Sequence, residues 1–245
     1  MAEFSAGGAL SFAENSVNGT TGSFTPGGTN RAIFAAVGTL NFFPVPSSVI
    51  ETRYGGSGGT LIDEIGTAYS WLFGSGRLAI FGESGSPSSS TDVFGDWESD
   101  PRNSAAGGVC FSGVDQAAPF SGRVDANGHV EAVTTTVAAV TVTGCTSGQL
   151  VTAVVVGIAA NVLTAFTEVT GTTLRVSSVA GGYLGIAFLT REATGASVTL
   201  EVNINGSASV NMTWGAAGVR INDAAGSAPI AALARNANQF LGAYP

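Results

Sequence analysis

The chain has 245 residues, 44% of them hydrophobic, and a formal net charge of −8 from 17 acidic residues against nine basic ones. Every basic residue is arginine, so lysine chemistry is excluded: no phosphate-loop lysine, no Schiff base, no lysine general base. An acidic chain this poor in arginine also lacks the electrostatic footprint for nucleic acid or an anionic membrane.

The 35 glycines follow no Gly-X-Y period and are interleaved with Val, Ile and Phe, which argues against helices, collagen and disorder and for many short strands joined by tight turns. The opening MAEFSAGGALSFAENS has neither a basic start nor a continuous apolar run, so no signal peptide is expected. TNRAIFAAVGTLN (29–41) is a long apolar strand entered from a small-residue turn, and GGSGGT (55–60) is a turn with no lysine to make it a phosphate cradle. GSGRLAIFGESGSPSSSTDVFGDW (74–97) gives a strand, a polar turn and an alternating strand; SAAGGVCFSGVDQ (104–116) then ends abruptly in a turn. VTAVVVGIAANVLTAF (151–166) is the most apolar stretch. It is shorter than the ~20 residues of a membrane span, is broken by Gly157 and Asn161, and reads as a strand buried on both faces. In ASVTLEVNI (196–204), Val198, Leu200, Val202 and Ile204 share one face, and Thr199, Glu201 and Asn203 the other. Asn-Gly pairs at 18–19, 127–128 and 205–206 predict hairpin turns.

The chain reads as two copies. TNRAIFAAVGTLN aligns with SGQLVTAVVVGIAAN (147–161), GSGRLAIFGESGSPSSSTDVFGDW with GGYLGIAFLTREATGASVTLEVN (181–203), and SAAGGVCFSGVDQ with WGAAGVRIND (214–223). The offsets are 118 (Arg31 to Gln149), 106 (Ile80 to Ile186) and 111 (Ala105 to Ala216), a drift that loops of unequal length produce. The expected fold is all-β: a two-layer antiparallel β-sandwich, jelly-roll-like, built from two similar halves at about 21–116 and 137–223. Residues 1–223 form one domain and 224–245 a C-terminal arm. The rival is two separate β domains joined by SGRVDANGHVEA (121–132), a short joint without linker character.

The order NRAIFAAVG, SSVIETRYGGSGGTLIDEIG, GGVCFSGVDQAAP, a Thr/Val strand and a Gly-rich apolar strand resembles a β-sandwich module of tailed-phage virion proteins, with similar modules in bacterial surface and secreted proteins. FSGVDQAAP (111–119) carries the resemblance most clearly, and it extends over roughly residues 9 to 223. It implies a fold and a setting, and brings no catalytic motif onto positions of this chain.

The candidate chemistry is sparse. His129 is the sole histidine and is expected in an exposed loop, and one His with Cys110 and Cys145 supplies no zinc set. In STDVFGDWESDPR (90–102), Asp92, Asp96, Glu98 and Asp100 fall close together. Asp96, Glu98 and Asp100 are the weak calcium candidates, and paired carboxylates also serve glycoside hydrolysis. Alternate positions at a strand end share one solvated side, with Arg102 as counter-charge, and solvated acids are the expectation. Trp71, Trp97 and Trp214 with Tyr54 and Tyr69 make either a sugar-stacking platform or, as expected, core. The tail AAGSAPIAALARNANQFLGAYP carries Ile230, Leu233, Phe240, Leu241 and Tyr244, too apolar for a solvated tail. Either it folds back over the sandwich or it docks on a neighbouring subunit. No cofactor is expected.

Resemblance and inventory together imply a non-enzymatic structural protein on the outer surface of a tailed-phage virion. It is expected to be capsid decoration or cement, or a head-fibre or turret component, homo-oligomeric and assembled in the host cytoplasm. Its partners would be the major capsid protein or other virion proteins, with neither nucleic acid nor membrane. The alternative is a receptor- or host-surface glycan-binding module of a tail fibre or bacterial surface protein. Aromatics on loops would favour it; aromatics in the core would not.

Overall fold

The computed structural model describes residues 1–12, 18–41, 50–69, 75–85, 89–97, 103–160 and 162–224. These hold fifteen strands: β1 (Glu3–Phe12), β2 (Asn18–Thr20), β3 (Ala32–Asn41), β4 (Ile50–Tyr54), β5 (Thr60–Ile62), β6 (Glu64–Tyr69), β7 (Ser75–Ser84), β8 (Val93–Trp97), β9 (Asn103–Ser112), β10 (Phe120–Thr143), β11 (Leu150–Ala159), β12 (Leu163–Glu168), β13 (Thr173–Ala180), β14 (Leu184–Glu192) and β15 (Ser197–Ile221). All the ladders between them are antiparallel. The chain is the all-β antiparallel sandwich that its glycine-punctuated apolar strands imply.

Residues up to 112 form two sheets, ordered β1-β9-β3-β7-β6 and β2-β8-β4-β5. Strands 1-9-3-7 facing 2-8-4-5 is the winding of a jelly roll. The second half repeats it as β10-β15-β11-β14-β13, with β12 on the other flank of β15. Here β10 and β15 are long enough to run through both layers. Their register shifts between Val130 and Val133 and again before Thr135, which lets both strands bend from one layer into the other.

With β3 set on β11 by their matching bounds, the ladders give the spacing of the other strands. An offset of 118 carries Ala36 to Val154. Ala36 faces Ile80 and Gly107, while Val154 faces Phe188 and Ala217, so the other two ladders repeat at 108 and 110 rather than 106 and 111. A slip of two keeps every side chain on its face; a slip of one reverses it.

The two layers expected of the whole chain are instead found within each half, and the two halves stack through their inner sheets because the inner strands are apolar on both faces. Between the sheets of the first half lie Ile33, Val37, Ile62, Phe81, Val93, Trp97 and Cys110. Within the second half, Val140, Val155, Leu189, Leu200, Val202, Ile204 and Trp214 form an equivalent core. A third core joins the halves: Phe34, Leu78, Ile80, Val109 and Phe111 against Val154, Val156, Leu184, Ile186, Phe188 and Val219. Phe34 is its pivot, with the Phe188 ring edge-on at 6.2 Å and 82° and the Phe120 ring at 5.8 Å. Gly107 permits the approach, since a Cβ there would lie 2.4 Å from Phe188 Cε2.

Several sequence expectations are revised. The three Asn-Gly pairs form no hairpins: Asn18 and Gly19 lie in β2, Asn127 and Gly128 inside β10, Asn205 and Gly206 inside β15. At Gly128 the missing side chain makes room for the Trp214 indole opposite, whose Cε2 would be 2.6 Å from a Cβ. Residues 121–132 are part of β10 rather than a joint, and the connector between the halves is 113–119. The apolar run 151–166 spans β11 and most of β12; β11 is buried on both faces as expected.

The shared third core predicts one cooperative unfolding transition. Phe188→Ala should lower stability by about 3–5 kcal/mol without splitting that transition. Denaturation followed by far-UV circular dichroism and by tryptophan fluorescence checks this, because Trp97 and Trp214 report on different halves. Non-coincident curves would mark two independent domains.

Candidate functional site

The strand ends that look alike in sequence meet in space. After β9, residues 113–119 turn back across the end of β15, with Val114 bridged to Asp223. Asp115 N–H donates to Asn222 O (2.8 Å), Asn222 N–H to Pro119 O (2.9 Å), and Ala224 N–H to Gly113 O (2.9 Å). Side chains complete the junction. Asn222 Nδ2 donates to Ala118 O (2.7 Å) and its Oδ1 accepts from Ser121 Oγ (2.8 Å). Gln116 Nε2 donates to Arg31 O (3.1 Å) and Val114 O (3.0 Å), and Ala117 N–H caps the turn on Asp115 Oδ1 (2.9 Å). Ala2 N–H donates to Asp223 Oδ1 (2.5 Å), bringing the start of β1 to the same place.

The FSGVDQAAP segment is thus the clasp between the two halves. Its Asp, Gln and the partner Asn222 satisfy backbone groups that a connector crossing two sheet ends would otherwise leave unpaired. Residues 225–245 follow on from this junction. Ile230, Leu233, Phe240, Leu241 and Tyr244 lie outside the described residues.

Of the acidic cluster, Asp92, just before β8, and Asp96, within it, are half-buried on the face opposite buried Val93 and Trp97. Asp96 stands opposite Asn18 on β2 and Glu51 on β4, and Glu51 is held by Arg53 at 3.1 Å. Glu98, Asp100 and Arg102 lie outside the described residues. Among those described, no three His, Cys, Asp or Glu side chains converge as metal ligands.

His129 is not in a loop. It sits within β10, mostly covered, with Nδ1 2.9 Å from Thr213 Oγ1 on β15 and Nε2 3.8 Å from Glu131. Trp97 and Trp214 are core residues, and Tyr54 packs against the first-half core; Trp71 lies outside the described residues and the Tyr69 side chain is not described. Both cysteines are buried thiols in different cores, Cys110 in the first half and Cys145 in the second. Burial pushes the Cys145 thiol up, against a smaller opposing pull from Arg220. Burial also raises the Asp125 carboxyl, although Arg123 at 2.6 Å counters it, and lowers Arg175, whose guanidinium lies 4.5 Å over the Phe4 ring.

No protein-family model and no curated protein matches the chain. Among solved structures it is similar to a chain of the capsid structure of Helicobacter pylori bacteriophage KHP30, at 9% identity and TM-score 0.25, covering 45% of this chain and 90% of that one. A chain of Sulfolobus Turreted Icosahedral Virus gives 12% identity and TM-score 0.25 over 88% of this chain and 60% of that one. GK1651 from Geobacillus kaustophilus gives 9% and 0.27 over 88% and 96%. The chain spans less than two thirds of the Sulfolobus virus chain. Viral particles recur among the similar structures, but overlaps this loose carry no argument about function.

A calcium site at Asp96 would bind the native state and raise the melting temperature as calcium is added. The arrangement around β8 predicts no such rise. A saturable increase abolished by Asp96→Asn together with Asp100→Asn would contradict it.

Proposed function

We propose that the protein is a non-enzymatic structural component of a tailed-phage virion, seated on the outer surface of the particle as a decoration or cement module. The observation that carries this is the pair of jelly rolls fused through a third hydrophobic core. Jelly rolls serve in viral capsid and lectin domains, and fold alone does not choose between such roles. What favours the structural role is rigidity without chemistry. A preformed double sandwich loses little conformational entropy on docking, and contacts can be left to loops and an arm. The lone histidine is committed to a strand pair, and Glu51 opposite Asp96 is held by Arg53.

The glycan-binding alternative needs aromatic side chains on the surface, whereas Trp97 and Trp214 are enclosed. The partners under this proposal are the major capsid protein or other virion proteins. The arm, which follows the junction and carries five large apolar residues, is the segment we assign to that contact.

The test is co-sedimentation with shells assembled from a tailed-phage major capsid protein. The full-length chain should bind saturably. Deleting residues 226–245 should abolish most of the binding while leaving the melting temperature nearly unchanged, because burying Phe240 and Leu241 contributes on the order of 1.5–3 kcal/mol each at the docked surface. Unimpaired binding of the truncated chain, or its unfolding, would refute the arm. Saturable binding to polysaccharide with none to shells would favour the adhesion role.

A further inference from the structure

We propose that residues 135–143 of β10 pair edge to edge, antiparallel, with the same residues of a second copy of this chain. The inference is independent of the virion assignment, since it follows from how each sheet edge is finished.

An exposed sheet edge offers a row of unpaired backbone donors and acceptors, and natural proteins blunt such edges with charge, bulges, shortness or a cover. Nearly all the other edges carry one of these devices. β2 and β5 are three residues each. β1 is interrupted between Phe4 and Ala6 and lies against β13, where Ser11 N–H donates to Ser178 Oγ (2.9 Å) and Ser11 Oγ to Ser178 O (3.0 Å). β6 carries Glu64 and two register shifts, β13 carries Arg175 and one, and β12 has a shift and ends in Glu168. The first part of β10 has Arg123, Asp125, His129 and Glu131 and the bulges that follow.

Beyond Thr135 these devices stop. From Thr135↔Asn205 to Thr143↔Ser197 the ladder runs nine pairs without a shift, and among the described residues β15 is the only strand on β10. TTVAAVTVT, residues 135–143, holds no charge, no proline and no glycine. Thr136, Ala138, Val140 and Val142 are buried beneath it, while Thr135, Val137, Thr141 and Thr143 face solvent, Val137 at 47% exposure. Val and Thr are the residues that pair well across strands.

The occupant follows from charge and symmetry. Two copies each carrying −8 repel, and a neutral strip is where they can approach without opposing acids. The nearest carboxylate, Glu201, lies on β15 across from Ala139, one strand in from the edge, and the strip itself carries none for a basic peptide to recognise. The strip is also self-complementary. A two-fold axis at Ala139 sets Thr135 against Thr143, Val137 against Thr141 and Ala139 against itself, all small or β-branched, and extends the sheet across both copies.

Sedimentation velocity of the full chain over a wide concentration range tests this. Wild type should associate reversibly to a dimer. Ala139→Lys and Ala139→Glu, each placing like charges opposite one another, should weaken association on the order of tenfold or more. Mixing the two variants should restore it. Thr170→Lys, in the exposed turn after β12, should associate like wild type. Circular dichroism checks folding, and the double variants Val137→Lys/Thr141→Lys and Val137→Glu/Thr141→Glu, which set like charges opposite one another in the same register, serve should either Ala139 variant fail to fold. Wild type monomeric at every concentration, charged variants that dimerise as wild type does, or a mixture no more associated than its components would each overturn the proposal.

Discussion

Strands that are apolar on both faces must be covered twice, and the architecture of this protein follows from that requirement. An antiparallel sheet normally keeps one face wet. In β3, β9, β11 and β14 the residues pointing to either side are almost uniformly buried. One face of each inner sheet is covered by the outer layer of its own half, and the other by the inner sheet of the other half, around Phe34 and Phe188. Four layers result, and neither jelly roll could leave the other without exposing a continuous apolar surface.

The remaining features follow from that packing. Because the halves are joined by a core, the connector at 113–119 can be short and can give its polar groups to tying strand ends together. Because hydrophobic demand is met inside, the outward faces are free to be Thr, Ser, Asn and scattered acids. What the cores leave outside them, among the described residues, is the free edge of β10 and the turns between strands. Extended antiparallel pairing along β10 would also give neighbouring copies a fixed relative orientation, useful in an ordered array.

Much of this was legible in the residues, and the misses have physical causes. The alternation in ASVTLEVNI placed Val198, Leu200, Val202 and Ile204 inward, as they are, because a half-buried strand imposes a period of two. An offset of 118 between TNRAIFAAVGTLN and SGQLVTAVVVGIAAN carries the bounds of β3 onto those of β11, since both strands are long and distinctive. The glycine- and alanine-rich SAAGG and WGAAG carry little to fix register, and there the offset was off by one. The Asn-Gly pairs misled because local turn preference was overridden: Gly128 is used for closeness to Trp214, and Asn205 precedes the bulge at which β15 changes layer. That the doubled layer lies within each half was not readable, because alternate burial looks the same whichever sheet does the covering. His129 was misplaced for the same reason as its neighbouring turn. Asp92 and Asp96, four apart, share the half-buried face opposite Val93 and Trp97, though only Asp96 lies within β8.

The most direct test of the shared core is native-state hydrogen exchange. If the inner sheets are one cooperative unit, the slowest amides of β3 and β9 and those of β11 and β14 should open in a single global event, with the same free energy and the same dependence on denaturant. If the first-half strands exchange by a separate opening of lower free energy while β11 and β14 stay protected, the halves are independent and the core around Phe34 and Phe188 does not bind them into one unit.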